Sequence, residues 1–427
     1  MHASAIKTEK RVIFFDNLRL LFVLFVIVEH SSNAYRGLIW WPVAEKSMSL
    51  IAQWVSAFSD AVAMPLLFFI AGYFATPTIQ KQSTSSFLKG KVKRLGIPWL
   101  LCIVAICPVL PLIYHFTRNG LSLSTSYWDL WVVLLKNAAQ LNVGLIVSMN
   151  DLMMNNHFYQ RYMWFLSLLL VFFLVFGILY SLRGRWFERT DQPGMPEGVA
   201  ISSTLKLLVG IGFLTAICSF LVVGAMLAFG PKSSHPEPLF TLCNVIQFRP
   251  SRLFTFIIYF VLGLMTYKHR WVERNTFPGH FKTWVISFVG VLFLYLWVYQ
   301  QMLHGPNHLK EVYGAIFFFI LHFVTITTLG LSASIAMRYW NRPTILSGNL
   351  ASNSYDMYLS HYLFVVVLQL ILFTIPGVPV LLKFGLVSVL SVACAYLASQ
   401  FLLKPFPRIA MFAAIALLVL MVLVIRP

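Results

Sequence analysis

The stretch RVIFFDNLRLLFVLFVIVEH, Arg11 to His30, decides how the chain is read. Its second half is an apolar helix of membrane length, yet Asp16 and Arg19 sit near one end and Glu29 and His30 at the other. A charge in the hydrocarbon costs roughly 2.5 to 3.5 kcal/mol per central residue on insertion scales, so such groups persist only where they face a protein interior or a wet cavity. By that rule this helix carries a site. Ten residues separate Arg19 from His30, and eleven steps of about 1.5 Å place them roughly 16 Å apart along the axis. A guanidinium and an imidazole at that spacing can hold two ends of one elongated ligand. The plainer alternative is a capped first helix with snorkelling ends.

The rest of the chain has the same character. Its 427 residues are 59% hydrophobic and 11% charged, with a mean hydropathy of +0.78, and many runs approach 20 apolar residues. The fold class is an all-α, polytopic transmembrane helical bundle. A net charge of +18 raises the question of nucleic acid, but the basic residues lie in loops between apolar spans, where orientation and anionic lipid account for them. Cys102, Cys107, Cys218 and Cys394 lie in apolar segments and only Cys243 in a loop, a pattern that suggests neither a disulfide framework nor a metal cluster. The first apolar segment lacks a small-residue cleavage site and is expected to remain as the first span.

Spans are expected near residues 13–30, 51–75, 95–115, 162–181, 204–229, 251–268, 283–302, 312–334, 354–375, 379–402 and 407–425, ten or eleven in all. The ambiguous stretch is Trp128 to Asp151, apolar enough to cross but carrying Lys136, Asn137, Gln140 and Asn142 in its middle. Left on one surface, it places 20 Lys and Arg residues on the N-terminal side and 10 on the other. Counted as a span, it would invert everything after it. The positive-inside rule therefore puts the N-terminus in the cytoplasm and makes residues 116–160 an extracytoplasmic interfacial or re-entrant segment of a single domain, 1–427. Arg19 then lies toward the cytoplasm and His30 near the outer face.

The second expected span ends in MPLLFFIAGYFA, Met64 to Ala75, and is followed by a loop in which Lys89, Lys91, Lys93 and Arg94 immediately precede Pro98. Four cations there are either membrane anchors or a clamp for a polyanionic cofactor.

Together these two stretches resemble the acyltransferase 3 family of integral membrane O-acyltransferases. The family's first span carries Arg, ten residues and His, here Arg19 and His30, preceded by D-x-x-R, here Asp16 to Arg19. Its second block reads F-F-x-x-S-G-Y-F and then R-x-x-R-x-x-x-P. Here that is Phe68, Phe69, Gly72, Tyr73 and Phe74, then Lys91, Arg94 and Pro98. Ala71 stands where the family has Ser, and Lys91 where it has Arg, which keeps the charge and loses the planar fork. Further blocks follow in the family's order: YMWFLSLLLVF from Tyr162, YFVLGLMTYKHR from Tyr259, and SNSYDMYLSHY from Ser352 with His361. Within the family, GKVKRLGIPW and the long segment before Trp164 are most similar to the glucan biosynthesis protein C branch, whose members are linked to succinylation of periplasmic glucans.

The resemblance implies a membrane-bound enzyme, in a bacterial inner membrane, that moves an acetyl, succinyl or similar group from cytoplasmic acyl-CoA to a hydroxyl of an extracytoplasmic carbohydrate, with no metal. That chemistry needs a base for the hydroxyl proton and a cation for the polyanionic donor. His30 and Arg19 fit these roles, and Lys91 and Arg94 fit the donor's phosphates. Glu29, adjacent to His30, is expected to point about 100° away from it. Asp60 in the second span either orients His30 or pairs with a buried Arg. His361, placed a few residues inside the ninth span at the depth of Arg19, either lines the cofactor path or bonds a neighbouring helix. The rival class is a secondary transporter of a small anionic or polar solute, though the two halves show no obvious inverted repeat.

Overall fold

The computed structural model describes residues 13–38, 40–107, 109–119, 126–148, 159–189, 197–232, 237–244, 246–273, 280–342 and 344–406. The eleventh expected span, the N-terminal basic residues Lys7, Lys10 and Arg11, and residues 120–125 and 149–158 of the expected interfacial segment lie outside them.

The first helix, α1, covers Ile13–Ser32. The second, α2 (Leu50–Ile79), starts where the Ser49 hydroxyl accepts from the Ala52 amide and holds Pro65 and Pro77 in its interior. A short surface helix, α3 (Thr84–Lys91), is capped by Ser83 and runs through a π-helical turn, Val92–Gly96, into the next segment. Here the structure departs from the expected single span over 95–115. Two short helices replace it, α4 (Ile97–Ala105) and α5 (Val109–Arg118). Pro108 and Pro111 supply the reason in the sequence, since neither has an N–H to continue the ladder.

The Trp128 stretch forms α6 (Tyr127–Ala139) and then a strand, β1 (Gly144–Ile146). Thirteen helical residues rise only about 20 Å, short of the roughly 30 Å hydrocarbon layer. β1 pairs antiparallel with β2 (Leu239–Leu242), which pairs with β3 (Ile246–Phe248). This small sheet is the one addition to an otherwise helical fold among the described residues.

Seven long helices follow: α7 (Trp164–Arg183), α8 (Glu197–Phe229), α9 (Pro250–Lys268), α10 (Phe281–His304), α11 (Lys310–Tyr339), α12 (Ile345–Phe373) and α13 (Val380–Ala398). With α2 they make, among the described residues, eight helices long and apolar enough to cross a membrane. α1 has the length as well, and stands apart from them by its Asp16, Arg19 and Glu29. Large apolar side chains such as Phe229, Ile286 and Phe293 project from α8 and α10 into the exterior, the surface a lipid-solvated helix presents.

At the centre, α2 packs against α1 on one side and α9 on the other, and α1 also packs along α12. α2 and α9 run parallel: Asp60 meets Arg252, Phe68 stacks on Phe256 at 4.9 Å, and Tyr267 donates to Gln80. Their backbones touch at two glycines. A Cβ on Gly72 would lie 2.1 Å from the Phe260 carbonyl oxygen, and one on Gly263 would lie 2.1 Å from that of Phe69. In lipid, where apolar burial drives no association, such close backbone contact is what holds helices together.

Candidate active site

His30 and His361 form the centre of the site. His30 Nδ1 lies 2.9 Å from His361 Nε2, and His361 Nδ1 lies 2.6 Å from the Tyr358 carbonyl oxygen. A carbonyl only accepts, so His361 carries its proton on Nδ1 and offers a lone pair on Nε2. His30 must then donate from Nδ1, which leaves its own basic lone pair on Nε2. His361 is fully buried, and aromatic rings close around the pair: Trp41 stacks at 5.7 Å and the ring of Tyr362 stands edge-on at 5.0 Å. The backbone behind His30 is pinned by Gln369, whose amide nitrogen donates to the His30 and Ser31 carbonyls at 3.1 Å while its oxygen accepts from the Trp41 indole.

This position corrects the sequence reading of His361. α12 begins at Ile345 rather than near 354, so His361 is about four turns inside it and stands beside His30, not beside Arg19. The α12 groups at Arg19 are Ser354, whose hydroxyl accepts from Nε at 3.0 Å, and Ala351, whose carbonyl accepts from Nη2 at 3.0 Å. Asp16 lies 3.3 Å from the same guanidinium. α1 and α12 thus run parallel, joined by polar contacts at two levels.

Around Arg19 opens a chamber of about 1360 Å³, large beside the roughly 300 to 1,000 Å³ of ordinary ligand pockets. It lies among α1, α2, α7, α9, α11 and α12, and five cations line it, Arg19, Lys81, Lys91, Arg94 and Arg189, against the carboxylates of Asp16 and Glu273. The Lys91 ammonium sits 3.8 Å from the centre of the Phe173 ring and 5.0 Å from that of Phe87. Burial in that aromatic cradle, helped by the charge of Arg94, lowers its pKa to about 8. The π-helical turn is tied to α12, where the Tyr355 hydroxyl donates to the Arg94 carbonyl and its ring lies 5.2 Å from the guanidinium. Ala71, at the position of the serine in the motif it resembles, also lines the chamber.

Val23, Phe165, Leu166 and Tyr358 also line the chamber. Tyr358 is thus both the wall of the chamber and the residue whose carbonyl orients His361. Its hydroxyl donates to the Tyr162 carbonyl at 2.8 Å, and the Tyr162 hydroxyl donates in return to the Leu359 carbonyl at 3.0 Å. This reciprocal latch joins α12 to the head of α7.

On the far side of the histidines stands a cluster of charge. Asp60 pairs with Arg252 at 3.0 Å and with Arg249 at 3.7 Å, and Glu237 bonds both arginines. Burial pushes the Glu237 carboxyl up, but the Arg252 and Arg249 guanidiniums outweigh it and hold the pKa at about 2. Of the two roles open to Asp60, the structure provides the arginine partner. Glu29, next to His30 in sequence, also departs from expectation: its Oε2 lies 3.3 Å from His30 Nε2, while its other oxygen accepts from Asn33 Nδ2 at 2.9 Å.

Sequence reasoning missed Ser354, Tyr358, Glu237, Arg249 and Arg252. For Ser354 a signal existed: it and His361 are seven residues apart, two turns on one helix face, the complement of the Arg19 and His30 face. Among the described residues no three His, Cys, Asp or Glu side chains converge as a metal site would require. Compared with known families, residues 12–424 match the acyltransferase 3 family, described as an acyltransferase domain. No curated protein and no solved structure matches the chain.

Proposed function

The chain belongs to the acyltransferase 3 family and is a multi-pass membrane acyltransferase; from that premise we propose that it moves an acyl group from cytoplasmic acyl-CoA to a hydroxyl of an extracytoplasmic carbohydrate. The observation that carries this reading is α1 itself, which joins a cationic chamber at Arg19 to an oriented histidine pair at His30, about 16 Å further along the axis. In this reading Lys91 and Arg94 hold the donor's phosphates as charge-assisted partners, Arg19 meets the arm, and the extended pantetheine brings the thioester toward His30. His30 takes the hydroxyl proton on Nε2 as general base while the oxygen attacks the thioester carbon. His361 is a positioning residue that fixes the tautomer. The donor arm must pass Tyr358, so the latch to Tyr162 opens when the chamber fills.

Sidedness is supported by the parallel course of α2 and α9, which requires an odd number of crossings between them. The α4–α5 pair, α7 and α8 supply three, with α6 and β1 kept on one surface. The chamber then opens on the side that holds 20 of the basic residues, the cytoplasmic one, and the acceptor approaches past Asp60, whose side chain is 42% exposed.

The test is direct. Inside-out vesicles containing the protein are supplied externally with radiolabelled acetyl- or succinyl-CoA, and lumenal glucan is analysed for label. Labelled lumenal glucan with no coenzyme A carried across is the expected result. Solute flux without acyl turnover, or acceptor modified on the donor's side, would overturn the proposal.

A further inference from the structure

Glu29 has no task in the reading above, yet it is the charged group nearest the basic nitrogen of His30. Its Oε2 lies 3.3 Å from His30 Nε2, while Oε1 accepts from Asn33 Nδ2 at 2.9 Å and from the Ser56 hydroxyl at 3.4 Å. Asn33 is buried in the 3-10 turn that follows α1, and Ser56 is buried on α2. The carboxylate is therefore held from two elements, with its free oxygen at the imidazole. Neighbours in sequence ordinarily point about 100° apart on a helix, so this approach depends on those two anchors. The other charged or titratable groups facing the pair are His361 and Tyr362 from α12, Tyr159 and Tyr162 before α7, Arg36 after α1, Asp60 from α2 and Arg249 before α9.

We infer that Glu29 is a positioning residue for the transfer, acting through His30. When the acceptor's O–H bond breaks, its proton goes to His30 Nε2 and its oxygen forms the new ester bond at the thioester carbon. The ring becomes an imidazolium with both nitrogens protonated, and the Glu29 carboxylate beside Nε2 balances that charge in a site with little water. The C–S bond then breaks, the imidazolium returns its proton to the departing sulfur, and the pair is restored with no net gain or loss. Placing a fixed carboxylate where the positive charge develops lowers the barrier without strengthening substrate binding. This inference rests on His30 being the base.

Glu29→Gln separates this role from a structural one, because the amide keeps an oxygen for Asn33 and Ser56 but has no charge. With labelled acetyl- or succinyl-CoA, whichever the wild-type protein turns over, kcat should fall about 100-fold while the donor KM stays within about twofold, the pattern of an interaction made only in the transition state. Glu29→Asp should retain part of the rate. A Glu29→Gln protein with wild-type kcat, beside an inactive His30→Ala protein, would overturn the inference and leave the base intact. Transfer by His30→Ala would instead overturn the underlying reading. If the Gln protein fails to accumulate, Asn33→Ala, which keeps the charge and removes the shorter of its two anchoring bonds, should lower kcat about tenfold at unchanged donor KM; an unchanged kcat would count against the inference.

Discussion

Two parallel helix pairs in this molecule are built in opposite ways. α2 and α9 meet backbone to backbone at Gly72 and Gly263, and α1 and α12 meet through polar side chains, Arg19 with Ser354 and His30 with His361. At its crossing the first contact has no room for a Cβ, and its ion pair, Asp60 with Arg252, lies about three turns away. The second spends its contact surface on groups that lipid would not tolerate and leaves a large chamber beside one of them. The contrast teaches that rigidity and chemistry are divided between neighbours sharing one central layer: the glycine pair holds α2 in place, and α2 in turn supports α1.

Substitutions should therefore separate the two pairs cleanly. The largest effect on transfer is expected at the polar pair. His30→Ala removes the base and should lower single-turnover transfer by about 1,000-fold or more, within the range of lost general-base catalysis, while donor binding and the amount of inserted protein stay near normal. Substantial transfer by this variant would erase the distinction between the pairs.

At the glycine pair the damage should fall on the fold. Gly263→Val adds a side chain where the first carbon alone would lie 2.1 Å from the Phe69 carbonyl oxygen, so α9 must move. Overpacking of this kind costs about 1 to 3 kcal/mol or more, read as a lowered melting temperature in detergent and loss of monodisperse protein. A Gly263→Val protein with unaltered melting would mean that the crossing is loose.

A smaller effect is expected at the chamber. Arg94→Ala removes one charge-assisted contact of about 1.5 to 3 kcal/mol, so the donor KM should rise about tenfold with topology preserved by the remaining cations. Unchanged KM in a correctly inserted protein would return the loop to a membrane-anchoring role.

The smallest is a pH effect at Lys91. Its pKa is lowered from 10.5 to about 8, so the cation is lost as pH rises through 8 rather than through the ordinary lysine range. Donor KM should accordingly rise a few-fold above about pH 8, and Lys91→Arg, with a guanidinium charged at every accessible pH, should flatten that limb. A limb that persists in Lys91→Arg would assign the titration elsewhere.

Much of the site was legible along single helices. Arg19 and His30 stand out because charge within an apolar run is costly wherever the run ends up, and Lys91 and Arg94 because they crowd a helix start. The parts that escaped are those that depend on where one helix begins relative to another. A span starting at 354 sets His361 at the depth of Arg19, whereas the helix starts nine residues earlier, at Ile345, which moves it about 13 Å along the axis. The ideal 100° step turns Glu29 away from His30; its contact with Asn33 is local, four residues on, but the one with Ser56 comes from α2. Glu237 carried no signal at all, since its meaning lies in Arg249 and Arg252 across a loop.

By itself, then, the sequence determined that this is a membrane bundle with polar groups buried at two levels of its first helix, because hydropathy and the cost of intramembrane charge are properties of each segment alone. Tertiary structure decided which histidine faces which, that Asp60 pairs with arginine, and that Tyr358 walls the chamber. Those outcomes depend on helix starts and crossings set by close contacts such as Gly72 with Gly263, and contact between distant segments is not a local property of either one.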